Sequence, residues 1–155
     1  MLRSRIIPCL LIHNKGLVKT VNFKDPKYIG DPINAVKIFN EKLVDELIFL
    51  DIDATKENRK PNINLIHEIA TECFMPFSYG GGINNIQDIG NIIQAGAEKV
   101  IINEAALSND KLISEASIKF GSSTIIVSID VKTPFFSNSP RTAFKPICLK
   151  SNEYS

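Results

Sequence analysis

Five short apolar runs, each followed by a helix-like segment, constrain the fold more than any other feature of the chain. The runs are Arg5 to Ile12, Asp45 to Asp53, Met75 to Tyr79, Glu98 to Asn103 and Thr124 to Asp130. The first is continuously apolar, the mark of a strand covered on both faces. Between the runs, apolar residues recur at helical spacing: Ile33, Val36, Ile38 and Phe39 in Pro32–Lys42, then Ile63, Ile66, Ile69 and Ala70 in 61–72. Two further helices are expected over Ile86–Gln94, ended by Gly96, and Asp110–Phe120, ended by Gly121. Asp31-Pro32 supplies an N-cap followed by proline at the first helical position. Strict strand–helix alternation predicts parallel βαβ units and an α/β fold. Leu17 to Phe23 alternates only loosely and reads as an extended arm that ends at Lys24-Asp25-Pro26.

The third run leads into Gly80-Gly81-Gly82. Three glycines at a strand-to-helix junction let the backbone take positive φ and approach a ligand closely. Amides of the following helical turn suit an anion. A flexible connection is the competing reading, and the neighbouring strand ends decide between the two.

At 155 residues the chain is long enough for one domain with a real core. A formal net charge of +1 gives no electrostatic case for nucleic acid. Cys9, Cys73 and Cys148 are widely spaced and form no metal-type cluster, so reduced thiols and a cytoplasmic location are expected, with no metal and no cofactor. His13 falls in a polar turn and His67 in a helix, and both read as surface or packing residues. No apolar run reaches the roughly 18 residues of a membrane span, and Ile6 to Ile12 reads as a strand, not a signal peptide.

Side chains alternate faces along a strand. One face carries Arg5, Ile7, Cys9 and Leu11 on the first strand and Glu46, Ile48, Leu50 and Ile52 on the second. It continues with Lys99, Ile101 and Asn103 on the fourth, and Ile126, Ser128 and Asp130 on the fifth. Arg5, Glu46 and Lys99 thereby gather at the N-terminal ends, where exposed ion pairs worth no more than about 1 kcal/mol each are the plain alternative. Asn103, Asp130 and the glycine turn gather at the C-terminal ends, with Asp51 and Asp53 nearby. Ligands of α/β barrels and open sheets bind at that rim.

Taken in order, Arg5-Ile6-Ile7-Pro8-Cys9-Leu10, Gly30-Asp31-Pro32, Asp45 to Ile52, Gly80-Gly81-Gly82-Ile83, Ala95 to Val100, Ile102-Asn103 and Ile129-Asp130 form one pattern. It resembles the cyclase subunit of imidazole glycerol phosphate synthase, of the histidine-biosynthesis TIM-barrel family. The resemblance covers about residues 1–132 and implies a partial TIM-type barrel of about five parallel strands alternating with four helices. It implies an ammonia-using lyase. A glutamine amidotransferase partner would release ammonia at the bottom of the barrel. The ammonia would join a phosphorylated ribonucleotide-type substrate at the top. Carried over, Lys19, Gly81, Gly82 and Asn103 would bind substrate and phosphate. Asp130 would be a catalytic carboxylate, and Arg5, Glu46 and Lys99 three members of an ammonia gate.

Three departures qualify that expectation. Leu11 stands where the family's other catalytic carboxylate falls, and leucine cannot transfer a proton. Glu104 follows Asn103 where a small hydroxyl residue is usual, and a carboxylate repels a phosphate. Five strands fall short of a full barrel of roughly 250 residues. Leu10-Leu11-Ile12 and Lys19 to Phe23 resemble a subgroup linked to surface-polysaccharide pathways, thought to deliver ammonia to an amidino-sugar synthesis. A half-barrel without activity, prone to self-association, is the further alternative. Residues 133–155, rich in Pro, Ser, Lys and Asn, read as an irregular tail.

Overall fold

The computed structural model describes residues 3–21 and 24–129. Asp130 and the expected tail over 133–155 lie outside them. Seven strands form one sheet: β1 (Cys9–His13), β2 (Gly16–Val21), β3 (Lys24–Gly30), β4 (Leu47–Asp51), β5 (Phe77–Gly80), β6 (Lys99–Ile102) and β7 (Ile125–Val127). Their order is β3-β2-β1-β4-β5-β6-β7. Along the sheet from β1 to β7 every pairing is parallel, while β2 pairs antiparallel with β1 and β3 antiparallel with β2. The helices are α1 (Pro32–Lys42), α2 (Ile63–Glu72), α3 (Ile86–Gln94), α4 (Glu104–Ser108) and α5 (Asp110–Phe120). The five parallel strands and α1, α2, α3 and α5 are the alternating elements that the apolar pattern predicts.

The first strand is shorter than expected. It begins at Cys9, not Arg5, because Pro8 has no N–H to give to a ladder. Its carbonyl still accepts from the Ile48 amide at 2.9 Å, and Ile6 accepts from Asp45, so 5–8 runs beside the sheet without joining it. The extended arm is instead a hairpin. Asn14 and Lys15 take φ of 48° and 66°, the left-handed conformation that a two-residue hairpin turn needs. Pro26 does not end the arm, because β3 is an edge strand and an edge position tolerates a residue that cannot donate.

Strand alternation divides the side chains cleanly. Leu47, Phe49, Phe77, Tyr79, Val100 and Ile102 point to the helical layer and are at most 3% exposed. Val36, Ile66, Ile69, Ile89, Ile92 and Leu112 meet them from α1, α2, α3 and α5. Each such side chain contributes about 1.5–3 kcal/mol on burial. Phe49 and Phe77 meet edge to face, with centroids 6.0 Å apart. Ile38 was expected to face this core but is 55% exposed. It lies on the flank of α1 beyond Val36, outside the stripe that α2 covers. The opposite sheet face carries Leu11, Ile48, Leu50 and Ile126, all half-buried.

The helix ends follow local chemistry. Asp31 caps α1, accepting from the Ile33 and Asn34 amides at 2.9 and 3.2 Å. Asn85 caps α3 through the Asp88 amide at 2.9 Å, and Asp88 reaches back to the Asn84 amide at 3.1 Å.

Candidate functional site

At the N-terminal ends of the strands the structure gathers Arg5, Glu46 and Lys99. Glu46 is 3% exposed. The Lys99 Nζ donates to both of its oxygens at 2.8 Å. Arg5 donates to Oε2 and the Ser78 hydroxyl to Oε1, the latter at 2.9 Å. Burial pushes the Glu46 carboxyl up. The Lys99 and Ser78 hydrogen bonds and the charges of Lys99 and Arg5 outweigh it, so the group titrates below its ordinary range. The reading as exposed ion pairs fits Arg5, whose side chain is 56% exposed, but not Glu46, which is buried and hydrogen-bonded to Ser78 of the next strand. Ser78 went unremarked in the sequence, though it interrupts Phe77 and Tyr79 with a polar side chain that meets Glu46.

The opposite rim is built on the loop between β4 and α2. Asp51 ends β4 and accepts from the two terminal guanidinium nitrogens of Arg59, at 2.8 and 2.9 Å. Its Oδ1 also accepts from the Asp53 and Ala54 amides, and the Tyr79 hydroxyl approaches Oδ2 at 3.4 Å. Asp51 and Glu57 hold the Arg59 guanidinium further above its usual range. Burial first, then the Asp51 charge, pushes the Tyr79 phenol up, so it remains a neutral donor. Arg59 carries no motif of its own, and only the folded loop brings it back on Asp51.

The glycine turn packs against this same loop. Gly81 and Gly82 adopt φ of 122° and 71°. A Cβ on Gly81 would stand 2.4 Å from the Asp51 carbonyl oxygen, and one on Gly82 would stand 2.5 Å from that of Arg59. Close packing thus already requires these glycines. The Gly82 N–H points to the Thr55 hydroxyl at 3.4 Å, a long bond that a better acceptor could displace. Two N–H groups at the start of α3, expected to suit an anion, are already taken by Asn85 and Asp88.

The remaining expected residues are spread along the rim. Lys19 is exposed on β2. Asn103 is exposed and precedes α4, its carbonyl accepting from Ala106 at 3.0 Å. Glu104 is exposed in the first turn of α4. Leu11 lies on β1 opposite Leu50 of β4. Asp130 lies outside the described residues.

His13 is not the loose turn residue that its polar surroundings suggested. It ends β1, and its Nδ1 lies 2.9 and 2.8 Å from the two oxygens of Asp53, a carboxylate 7% exposed. The Asn14 amide also donates to Asp53, at 3.2 Å. A cavity of about 400 Å³ reaches Asn14 and is lined also by Ile12, Lys15, Asp51, Glu57, Arg59 and Lys60 among others, while His13 and Asp53 do not line it. Among the described residues no group of His, Cys, Asp and Glu has the arrangement of a metal site. No described helix is long and apolar enough to cross a membrane.

A mostly parallel sheet covered by helices, with polar residues at both strand ends and the apolar face between them, defines part of a (β/α) barrel with its ligand rim at the C-terminal ends. Residues 5–146 match the family described as histidine biosynthesis protein, and the chain belongs to that family. It is 57% identical over 136 residues to a Pseudomonas aeruginosa protein provisionally named imidazole glycerol phosphate synthase subunit hisF2, covering 88% of this chain and 54% of that one. A Vibrio vulnificus protein, provisionally named subunit hisF3, is 51% identical over 88% of this chain and 52% of its own length. The imidazole glycerol phosphate synthase subunit HisF of Streptococcus mutans is 42% identical over 85% of this chain and 53% of its own. The chain spans about half the length of these curated relatives.

Proposed function

We propose that the chain is the N-terminal portion of an ammonia-using, cyclase-type subunit of imidazole glycerol phosphate synthase. Its reaction would join ammonia to a phosphorylated ribonucleotide-type substrate, giving imidazole glycerol phosphate and an aminoimidazole carboxamide ribotide in histidine biosynthesis. The Arg5–Glu46–Lys99–Ser78 cluster, built on the buried Glu46 and Ser78, carries this reading. It lies at one mouth of the sheet face whose other end is the glycine rim. A polar cluster at one end of an otherwise apolar sheet face suits a small polar molecule passing along that face in a completed barrel. Exposed apolar residues surround the same mouth: Ile6 (66%), Leu43 (84%) and Phe74 (87%). They fit a glutamine amidotransferase docking there to release ammonia. Lys19, Gly81, Gly82 and Asn103 would hold the substrate and its phosphate, and Asp130 would exchange a proton with it.

The test supplies ammonium chloride and the phosphoribosyl-formimino substrate to the purified chain and follows both products. Capture of the amidotransferase is measured in parallel. Product formation together with capture that Phe74→Ser weakens would support the reading. Neither product nor capture would overturn it. Leu11 favours a second reading, in which ammonia is delivered to an amidino-sugar synthesis without cyclisation. Capture without any imidazole product is the outcome that reading expects. In isolation the half-buried apolar face also favours self-association, which light scattering would measure.

A further inference from the structure

We propose that His13 is a proton-transfer residue of the C-terminal rim, with Asp53 as its positioning partner. The inference rests on the ammonia-using reading above. The imidazole is anchored through Nδ1, which faces Asp53 at 2.9 Å, and Asp53 is fixed by the Asn14 amide at 3.2 Å. A buried carboxylate paired with one ring nitrogen sets that nitrogen as the donor and leaves the other, Nε2, as a base. Nε2 meets only the Asn14 side-chain amide, at 3.0 Å, and Asn14 is exposed. Asn14, the neighbour of Nε2, also lines the rim cavity, whose walls do not include His13 itself. The cavity's Asp51 and Glu57 are both paired with Arg59, and its Lys15 and Lys60 suit an anionic, phosphorylated substrate. Strand alternation puts His13 on the same face as Leu11, one pleat nearer the rim. The first strand thus presents a proton acceptor at its end, although Leu11 carries none.

The step is a proton relay with no net redox change. As the ammonia nitrogen bonds to an electrophilic carbonyl or formimino carbon, Nε2 takes one of its protons. The imidazolium is stabilised across Nδ1–H by Asp53. When the C–O or C–N bond to the leaving group breaks, the same proton passes from Nε2 to the departing oxygen or nitrogen. The charged groups behind the imidazole are Asp53 and, through the Asp53 amide, Asp51 with its Arg59 partner.

Two measurements test the dyad. In the first, diethyl pyrocarbonate is applied to the full chain between pH 6 and 8, with modification at each histidine read by mass spectrometry. The exposed His67 serves as internal control. His13 should react several-fold faster than His67, roughly five-fold or more, and Asp53→Asn should remove the difference while Asp53→Glu restores part of it. Equal rates at the two histidines, or no effect of Asp53→Asn, would overturn the dyad whether or not the chain turns over. In the second, ammonia-dependent turnover is followed with the probe substrate named above. His13→Gln should lower kcat about 100-fold or more with KM little changed, and Asp53→Asn should shift the pH profile as well as lower kcat. A turning-over chain whose kcat survives His13→Gln would overturn the proposal. A chain with no turnover that still shows fast, Asp53-dependent modification of His13 would instead sink the reading of the reaction and leave the dyad standing.

Discussion

Replacing Glu46 by Gln isolates the electrostatics of the N-terminal mouth. The carboxylate is 3% exposed and accepts from Lys99, Arg5 and Ser78. Glutamine keeps the shape and the Ser78 contact but removes the charge. Hydrogen bonds to a charged group contribute about 1.5–3 kcal/mol. The Lys99 ammonium, with its side chain 20% exposed, makes the best placed of them. Arg5, with its side chain 56% exposed, adds little after solvent screening. A loss of about 2 kcal/mol at pH 7 is therefore expected, read as a lower urea midpoint at unchanged slope. The folded-state pKa of Glu46 is lowered, so its contribution is fully present above the ordinary glutamate pKa. It is lost as pH falls through the folded value. The gap between wild type and Glu46→Gln should then begin to shrink as pH falls past the ordinary glutamate value, about 4.3, and go on shrinking below it. The other carboxylates titrate in both proteins and cancel in the difference. A gap that is as large at pH 3 as at pH 7, or absent at both, would refute the reasoning.

Three further outcomes follow from the rim and the turns. Arg59→Met leaves Asp51 buried without its cation and should cost about 3–5 kcal/mol in chemical denaturation; a loss under about 1 kcal/mol would show that the loop relaxes around the bare carboxylate. Gly81→Ala meets the Asp51 carbonyl at 2.4 Å and should destabilise by well over the roughly 1–3 kcal/mol of backbone strain alone. Gly121→Ala has positive φ but would meet only the Thr124 hydroxyl, at an ordinary 3.9 Å, so it should show only the strain, and equal losses at the two sites would contradict the packing account. Asn85→Ala removes the α3 cap and should lower stability by about 1 kcal/mol, seen as a drop of several degrees in Tm.

Much of the fold was legible in the residues. Pro32–Lys42, Ile86–Gln94 and Asp110–Phe120 are helices over the spans that their apolar period and caps suggest. The hairpin was harder to see. Asn14 and Lys15 are not a common turn pair, and Pro26 looks like a stop unless one knows that its strand lies at an edge. The five-residue helix α4 is too short to show a period, so Asn103 looked like a strand end alone.

The site divides in the same way. Alternation within single strands was enough to put Arg5, Glu46 and Lys99 at one end and the glycine turn at the other, because the period of two is fixed by the pleat itself. The glycines marked a turn that no Cβ could enter. Which contacts close that turn, and how deeply Glu46 is covered, depend on register between strands far apart in the chain. His13 and Asp53 are 40 residues apart, and Arg59 returns to Asp51 across a loop. No local preference encodes such pairings. They exist because the parallel sheet sets β1 beside β4 and brings the ends of both strands to one rim. The sequence by itself determined which elements form and which faces they bury. Only the tertiary structure decided which charges meet, since a carboxylate acquires its partners from the strands and loops that packing brings alongside.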